Sequence, residues 1–158
     1  MRNPARAMYD QFEDTLASTT LQLRSVLLDT LGLAATIEWH ARRFRKCTGV
    51  LCDLTVNDTG FDLPEDYAAT IYDIYNEALS NVARHAGASR VAIGLAITPH
   101  EVTVVVSDNG VGLAKEAPAS GAGGLAAIRQ RAQTYKGFCE VAGKRNVGTI
   151  VTVSLPIT

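Results

Sequence analysis

In the stretch "NEALSNVARHA", residues 76–86, an acid, an amide and two bases recur in one file: Glu77, Asn81, Arg84 and His85. At about 100° per residue, positions 77, 81 and 85 span roughly 80° of a helix, and 84 falls close to 77. Glu77 and Asn81 stand one turn apart and can address one object. The asparagine carbonyl is a hard, neutral oxygen that suits Mg²⁺ without adding charge. A glutamate beside it is a candidate general base or water-positioning group. Arg84 and His85 can contact phosphate oxygens. Taken alone, the stripe also fits a solvated helix face with an i,i+4 polar pair.

Two further stretches carry chemistry. "SDNGVGL", residues 107–113, follows a β-rich segment. Asp108 falls at the strand end, with Gly110 and Gly112 behind it, where backbone can approach a ligand. A carboxylate in a largely apolar pocket can accept a hydrogen bond from an exocyclic amine such as that of adenine. A plain Asp-Asn-Gly turn is the other reading. "GAGGL", residues 121–125, opens a helix. Backbone amides at a helix N-terminus favour phosphate, although a bare glycine cluster also fits a flexible loop.

These residues need elements to position them. Ile71, Ile74, Tyr75, Ala78, Leu79, Val82 and Ala86 recur at helical spacing, so the helix that carries the polar stripe also has a core face. Pro64 suits the start of that helix. Residues 8–31 lack Gly and Pro and read as an amphipathic helix. Its face (Phe12, Leu16, Leu23, Val26, Leu27) serves its own domain or a helix–helix interface. Gly32 interrupts it, and helical spacing resumes through Ile37 and Phe44. "TGVLCDLTV", "SRVAIGLAIT" and "EVTVVVSD" read as strands, "LAAIRQRAQTYK" as a helix ended by Gly137, and "FCEVAG" with "GTIVTVSLP" as a closing hairpin around "KRNV". The order predicts an α+β fold: a mixed, mostly antiparallel sheet with helices on one face, plus an N-terminal helix. The segment from Val111 to Gly123, rich in small residues, has almost nothing to bury and reads as a mobile lid.

Bulk properties exclude other classes. The 158 residues suit one domain with a short appendage, and 47% hydrophobic with 20% charged residues is ordinary for a globular protein. The net charge of -1 gives no electrostatic case for nucleic acid or an anionic membrane. There is no stretch of transmembrane length, and the start lacks the apolar core of a signal peptide. Cys47, Cys52 and Cys139 form no CxxC and read as reduced packing residues of a cytosolic protein.

Together the motifs resemble the ATP-binding domain of sensor histidine kinases, within the superfamily that includes type II topoisomerases, heat-shock chaperones and mismatch-repair ATPases. "NEALSNVARHA" resembles the N box, "DNGVGL" the G1 box, "GGLAAIRQRA" the G2 region and "GTIVTVSLP" the closing strand. "LLDTLGL" followed by "IEWHARRFRKCTGV" is similar to the subfamily of nitrate and membrane-fluidity sensors. The resemblance implies a two-layer α/β sandwich over residues 47–158, preceded by a partial dimerisation and phosphotransfer helix region with its linker over 1–46. It implies ATP and Mg²⁺ as cofactors. It implies that Glu77 polarises the attacking group, Asn81 holds Mg²⁺, and Arg84 and His85 lie near the phosphates. Asp108 would recognise the adenine amine, with Gly110 and Gly112 under the purine. Gly124 and Leu125 would lie beside the phosphates, and Thr149 near the adenine.

Two departures stand out. The family's phosphoacceptor histidine, followed by an acid in an earlier helix, has no match among the three histidines His40, His85 and His100. The expectation is a fragment that starts in the second helix of the phosphotransfer hairpin, with a naturally shortened kinase as the alternative. Ala122 also stands where the G2 pattern usually begins with glycine. The implied partners are the phosphoacceptor hairpin of the same kinase, a response regulator and a second copy in the full-length protein, with no nucleic acid and no membrane contact by this segment. A regulatory nucleotide- or partner-binding module, or an anti-sigma-type protein-serine kinase on the same fold, are the other readings.

Overall fold

The computed structural model describes Ala7, residues 20–112 and residues 124–158; the side chains of 20–24, 85 and 86 are outside that description. The expected start of the first helix at residue 8, Ala122 and nearly all of the segment read as a lid therefore lie outside the described residues.

The described chain runs α1 (Thr20–Thr48), β1 (Leu51–Asp58), α2 (Glu65–Asn81), a π-helical turn (Val82–Ala86), β2 (Arg90–Ile97), β3 (Glu101–Asp108), α3 (Gly124–Thr134), β4 (Phe138–Lys144) and β5 (Gly148–Pro156). The strands form one sheet in the order β1-β2-β3-β5-β4. Pairing is antiparallel throughout except between β1 and β2, which are parallel and joined through α2. The mixed, mostly antiparallel α+β architecture expected from the element order is the one observed. In its single parallel pair, the helix between the two strands is long enough to carry the chain back across the sheet.

Alternation along the strands decides which face the helices cover. Val91, Ile93, Leu95 and Ile97 of β2, Val102, Val104 and Val106 of β3, and Val151, Val153 and Leu155 of β5 are buried. Their strand neighbours, among them Thr103, Val105, Thr152 and Ser154, are only half-buried. The helices therefore pack on one face, against these branched side chains. From α2 the core receives Ile71, Ile74, Tyr75, Ala78 and Leu79, as the helical spacing predicts.

Gly32 breaks α1 with φ 81° and ψ 171°. Downstream of the break, Leu33, Ile37, His40, Ala41 and Phe44 are buried. Upstream, Val26 is 55% exposed, Leu27 is half-buried and Leu28 packs on the core. His40 is fully buried, its Nδ1 2.9 Å from the Tyr75 hydroxyl and its ring edge-on to Tyr72 and Tyr75. Burial lowers its pKa from 6.5 to about 4.

Candidate functional site

The C-terminal half of α2 supplies Glu77 and Asn81, both half-buried at the edge of its core face. The start of α3 lies directly over them. A Cβ on Gly124 would overlap the Glu77 carboxylate and come within 3.0 Å of Asn81 Oδ1. Gly124 thus lets backbone touch the two polar side chains, which any other residue would hold at a distance. At the other end of α3, Thr70 donates to the Tyr135 hydroxyl at 3.2 Å, and that hydroxyl donates to Asp66 at 3.3 Å. The Tyr67 and Tyr135 rings meet at 4.7 Å. Helix α3 therefore runs antiparallel along α2, fixed at one end by these tyrosines and at the other by Gly124. The tyrosine contacts were not signalled by the sequence, because they join residues 65 or more positions apart.

Asn81 has a buried Nδ2 with no hydrogen-bond partner among the described residues. A buried amide left unpaired is costly, and such groups mark places where a ligand or water completes the bonding. Glu77 and Asn81 stand together one turn apart, as their spacing predicts, and the fold adds Gly124 beside them. The rest of the stripe departs from prediction. Residues 82–86 wind as a π-helix, closed by Gly87 in the left-handed region. Its wider i→i+5 turn under-rotates each residue relative to an α-helix, so the α-helical phase assigned to Arg84 and His85 does not hold. Hydrophobic periodicity gives no warning of such a turn, since Val82 and Ala83 remain buried through it. Arg84 is exposed, and the His85 side chain lies outside the described residues.

Asp108 ends β3 opposite Thr149 of β5. Its carboxylate accepts the backbone N–H of Gly110 at 2.8 Å, and the nearby Thr149 backbone amide also favours its charged form. Burial nevertheless outweighs both amides and raises its pKa above the ordinary aspartate value. The carboxylate is thereby held in place, half-buried, with acceptor capacity left over. Thr149 meets Asp108 through its backbone, so the register of β3 and β5 brings together two residues that the sequence separates widely.

Gly110 is buried and Gly112 adopts φ 77°. A Cβ on Gly112 would strike the Lys144 carbonyl, while the Val111 carbonyl accepts from Asn146 N at 2.8 Å. Close packing against the β4–β5 turn therefore accounts for the second glycine. Leu125 packs partly buried on the core. Among the described residues, no three His, Cys, Asp or Glu side chains cluster as a metal site, and the three cysteines are free. No helix in the described residues is long and apolar enough to cross a membrane.

The structure thus combines a two-layer sheet-and-helix body with paired polar groups on one helix and a held aspartate at a strand end. Residues 66–158 match the model of the histidine kinase-, DNA gyrase B- and HSP90-like ATPases, and the chain belongs to that family. It is 33% identical to the signal transduction histidine-protein kinase/phosphatase DegS of Brevibacillus brevis, over 86% of this chain and 35% of that protein. It is 30% identical to the oxygen sensor histidine kinase NreB of Staphylococcus carnosus (strain TM300), over 92% of this chain and 42% of that protein. The chain thus spans less than half the length of these relatives. Among solved structures it resembles the histidine kinase domain from the Erythrobacter litoralis EL346 blue-light activated histidine kinase. That match has a TM-score of 0.62 and 25% identity, and covers 78% of this chain and 60% of that one.

Proposed function

We propose that this chain is the ATP·Mg²⁺-binding catalytic domain of a bacterial two-component sensor histidine kinase, and that it presents the γ-phosphate to a histidine outside the chain. The observation that carries the reading is the convergence of Glu77 and Asn81 on the backbone of Gly124. Two features suit the group. Asn81 carries a buried amide whose bonding a ligand would complete. Asp108 is oriented by the Gly110 backbone amide and keeps acceptor capacity for the adenine amine. Asn81 would hold Mg²⁺ through its carbonyl oxygen; Gly124 and Leu125, with Arg84 and His85, would lie along the phosphates; Gly110, Gly112 and Thr149 would lie at the adenine end. When bound, Mg²⁺ would neutralise phosphate charge and help align the transferring group. Glu77 would orient and polarise the incoming nucleophile.

The phosphoacceptor helical hairpin of the same kinase, a response regulator and a second copy of the chain are the partners this reading requires, in the cytoplasm. His40 is unsuited as an acceptor because it is fully buried. The sequence reading divides the chain at 46/47. We place the start of the catalytic unit just after Gly32 instead, because Leu33, Ile37 and Phe44 share its core.

The test supplies an intact phosphoacceptor hairpin in trans with radiolabelled ATP. Label on the hairpin histidine is the expected result. Nucleotide binding without transfer would instead make the chain a regulatory module, and serine labelling of a partner would make it a protein-serine kinase.

A further inference from the structure

We infer that Asn109 is a positioning residue that sets the orientation of Asp108. The inference rests on the adenine-reading role proposed for Asp108. Asn109 is bonded on three sides. Its Oδ1 accepts the backbone N–H groups of Ser89 and Arg90, each at 3.0 Å. Its Nδ2 donates to Ser89 Oγ at 2.9 Å, and its own backbone N–H donates to the Arg90 carbonyl at 3.2 Å. Both lone pairs of the amide oxygen are therefore used.

The location gives these bonds their consequence. Ser89 leads into Arg90, the first residue of β2, two residues after Gly87, which ends the π-helical turn. The Ser89 carbonyl also receives Leu51 N at 3.0 Å and so fixes the start of β1. Asn109 lies between Asp108 and Gly110, whose N–H holds the Asp108 carboxylate. One side chain thus ties the exit of the polar helix to the loop that aims Asp108. Ladder pairing ends at Val91↔Asp108, so without the side chain the Asn109 N–H is the one backbone bond among the described residues that crosses this gap.

These bonds lie at the surface, where water can replace them, so their loss would spare the fold. What water cannot supply is direction. A misaimed Asp108 would lose its preference for adenine before it lost general contact with a nucleotide.

The experiment measures calorimetric affinity of the whole chain for ADP and for GDP, with thermal melting alongside. Asn109→Ala is expected to narrow the ADP-over-GDP preference about tenfold, equivalent to about 1.4 kcal/mol, with an unchanged melting temperature. Asn109→Asp keeps an acceptor for both N–H groups and is expected to restore the preference, even if its added charge weakens both nucleotides. Amide exchange at Ser89 and Arg90 should quicken in Asn109→Ala and stay slow in Asn109→Asp. If the unmodified chain prefers ADP and Asn109→Ala keeps that preference, the positioning role is overturned while the adenine assignment stands. If the unmodified chain shows no preference for ADP, both fall.

Discussion

Asp108 is protonated more readily than an ordinary aspartate, because burial outweighs the two amides that favour its charge. ADP affinity should accordingly fall on acidification at a higher pH than an unperturbed aspartate would dictate, and a calorimetric pH series would show it. Asp108→Ala should abolish ADP binding, since it removes the held carboxylate; undiminished affinity would refute the adenine assignment. Gly124 offers a separate test. The atoms that an added Cβ would strike first belong to the far end of the Glu77 side chain, which can swing away. Gly124→Ala should therefore cost well under the ~1–3 kcal/mol of a rigid overpacked site while displacing Glu77. Phosphotransfer to a supplied hairpin should then drop with little change in melting temperature, and a wild-type rate would contradict the geometry. At this scale, residues on one regular helix turn were legible in the sequence, as Glu77 and Asn81 were. Asn109 was not, because its partners lie 19 and 20 positions away and only the folded sheet makes them neighbours.

Helix α2 shows how much an element can announce. Its apolar spacing gave its buried face correctly, and Pro64 stands as its N-cap residue. Its exit could not be read the same way. The π-turn changes the rotation per residue without changing which residues are apolar. Element order gave the strand inventory, yet pairing partners depend on long-range packing. Sequence order left open that β1 would be an edge strand, parallel to β2. Helix α1 makes a prediction of its own. A chain beginning at residue 33 keeps Leu33, Ile37 and Phe44, whereas one beginning at 47 removes all three from the core. Each deleted large side chain costs about 2–5 kcal/mol, against a total stability of about 5–15 kcal/mol. The longer piece should melt cooperatively and the shorter one should not; a cooperative melt from the piece starting at 47 would place the boundary there.

Across the whole molecule, His40 links stability to pH. Folded, it takes up a proton only near pH 4, whereas the unfolded chain does so near 6.5. The unfolded state therefore binds more protons between those values. The stability is fully present above pH 6.5 and is lost as pH falls toward 4. Unfolding free energies from urea titrations at pH 7.5 and pH 5 should differ by about 2 kcal/mol from this group. His40→Leu should remove most of that difference, and an unchanged difference would assign the acid sensitivity elsewhere. The upstream half of α1 joins the body that His40 helps to hold through the break at Gly32, and Leu28 of that half also packs on the body's core. In mechanical terms, that half is a shaft and the body its load. A hydrogen-bonded helix carries torque along its length, but one residue outside helical dihedrals carries it through two soft torsions. Such a joint would pass pull and tilt on better than rotation. With open space around Gly32 and a φ that alanine resists, Gly32→Ala should favour one continuous shaft, seen as a narrower spread of distances between spin labels placed across the joint. Any signal arriving along this helix would then reach the core as a bend in the native chain, and as a twist only in the straightened one.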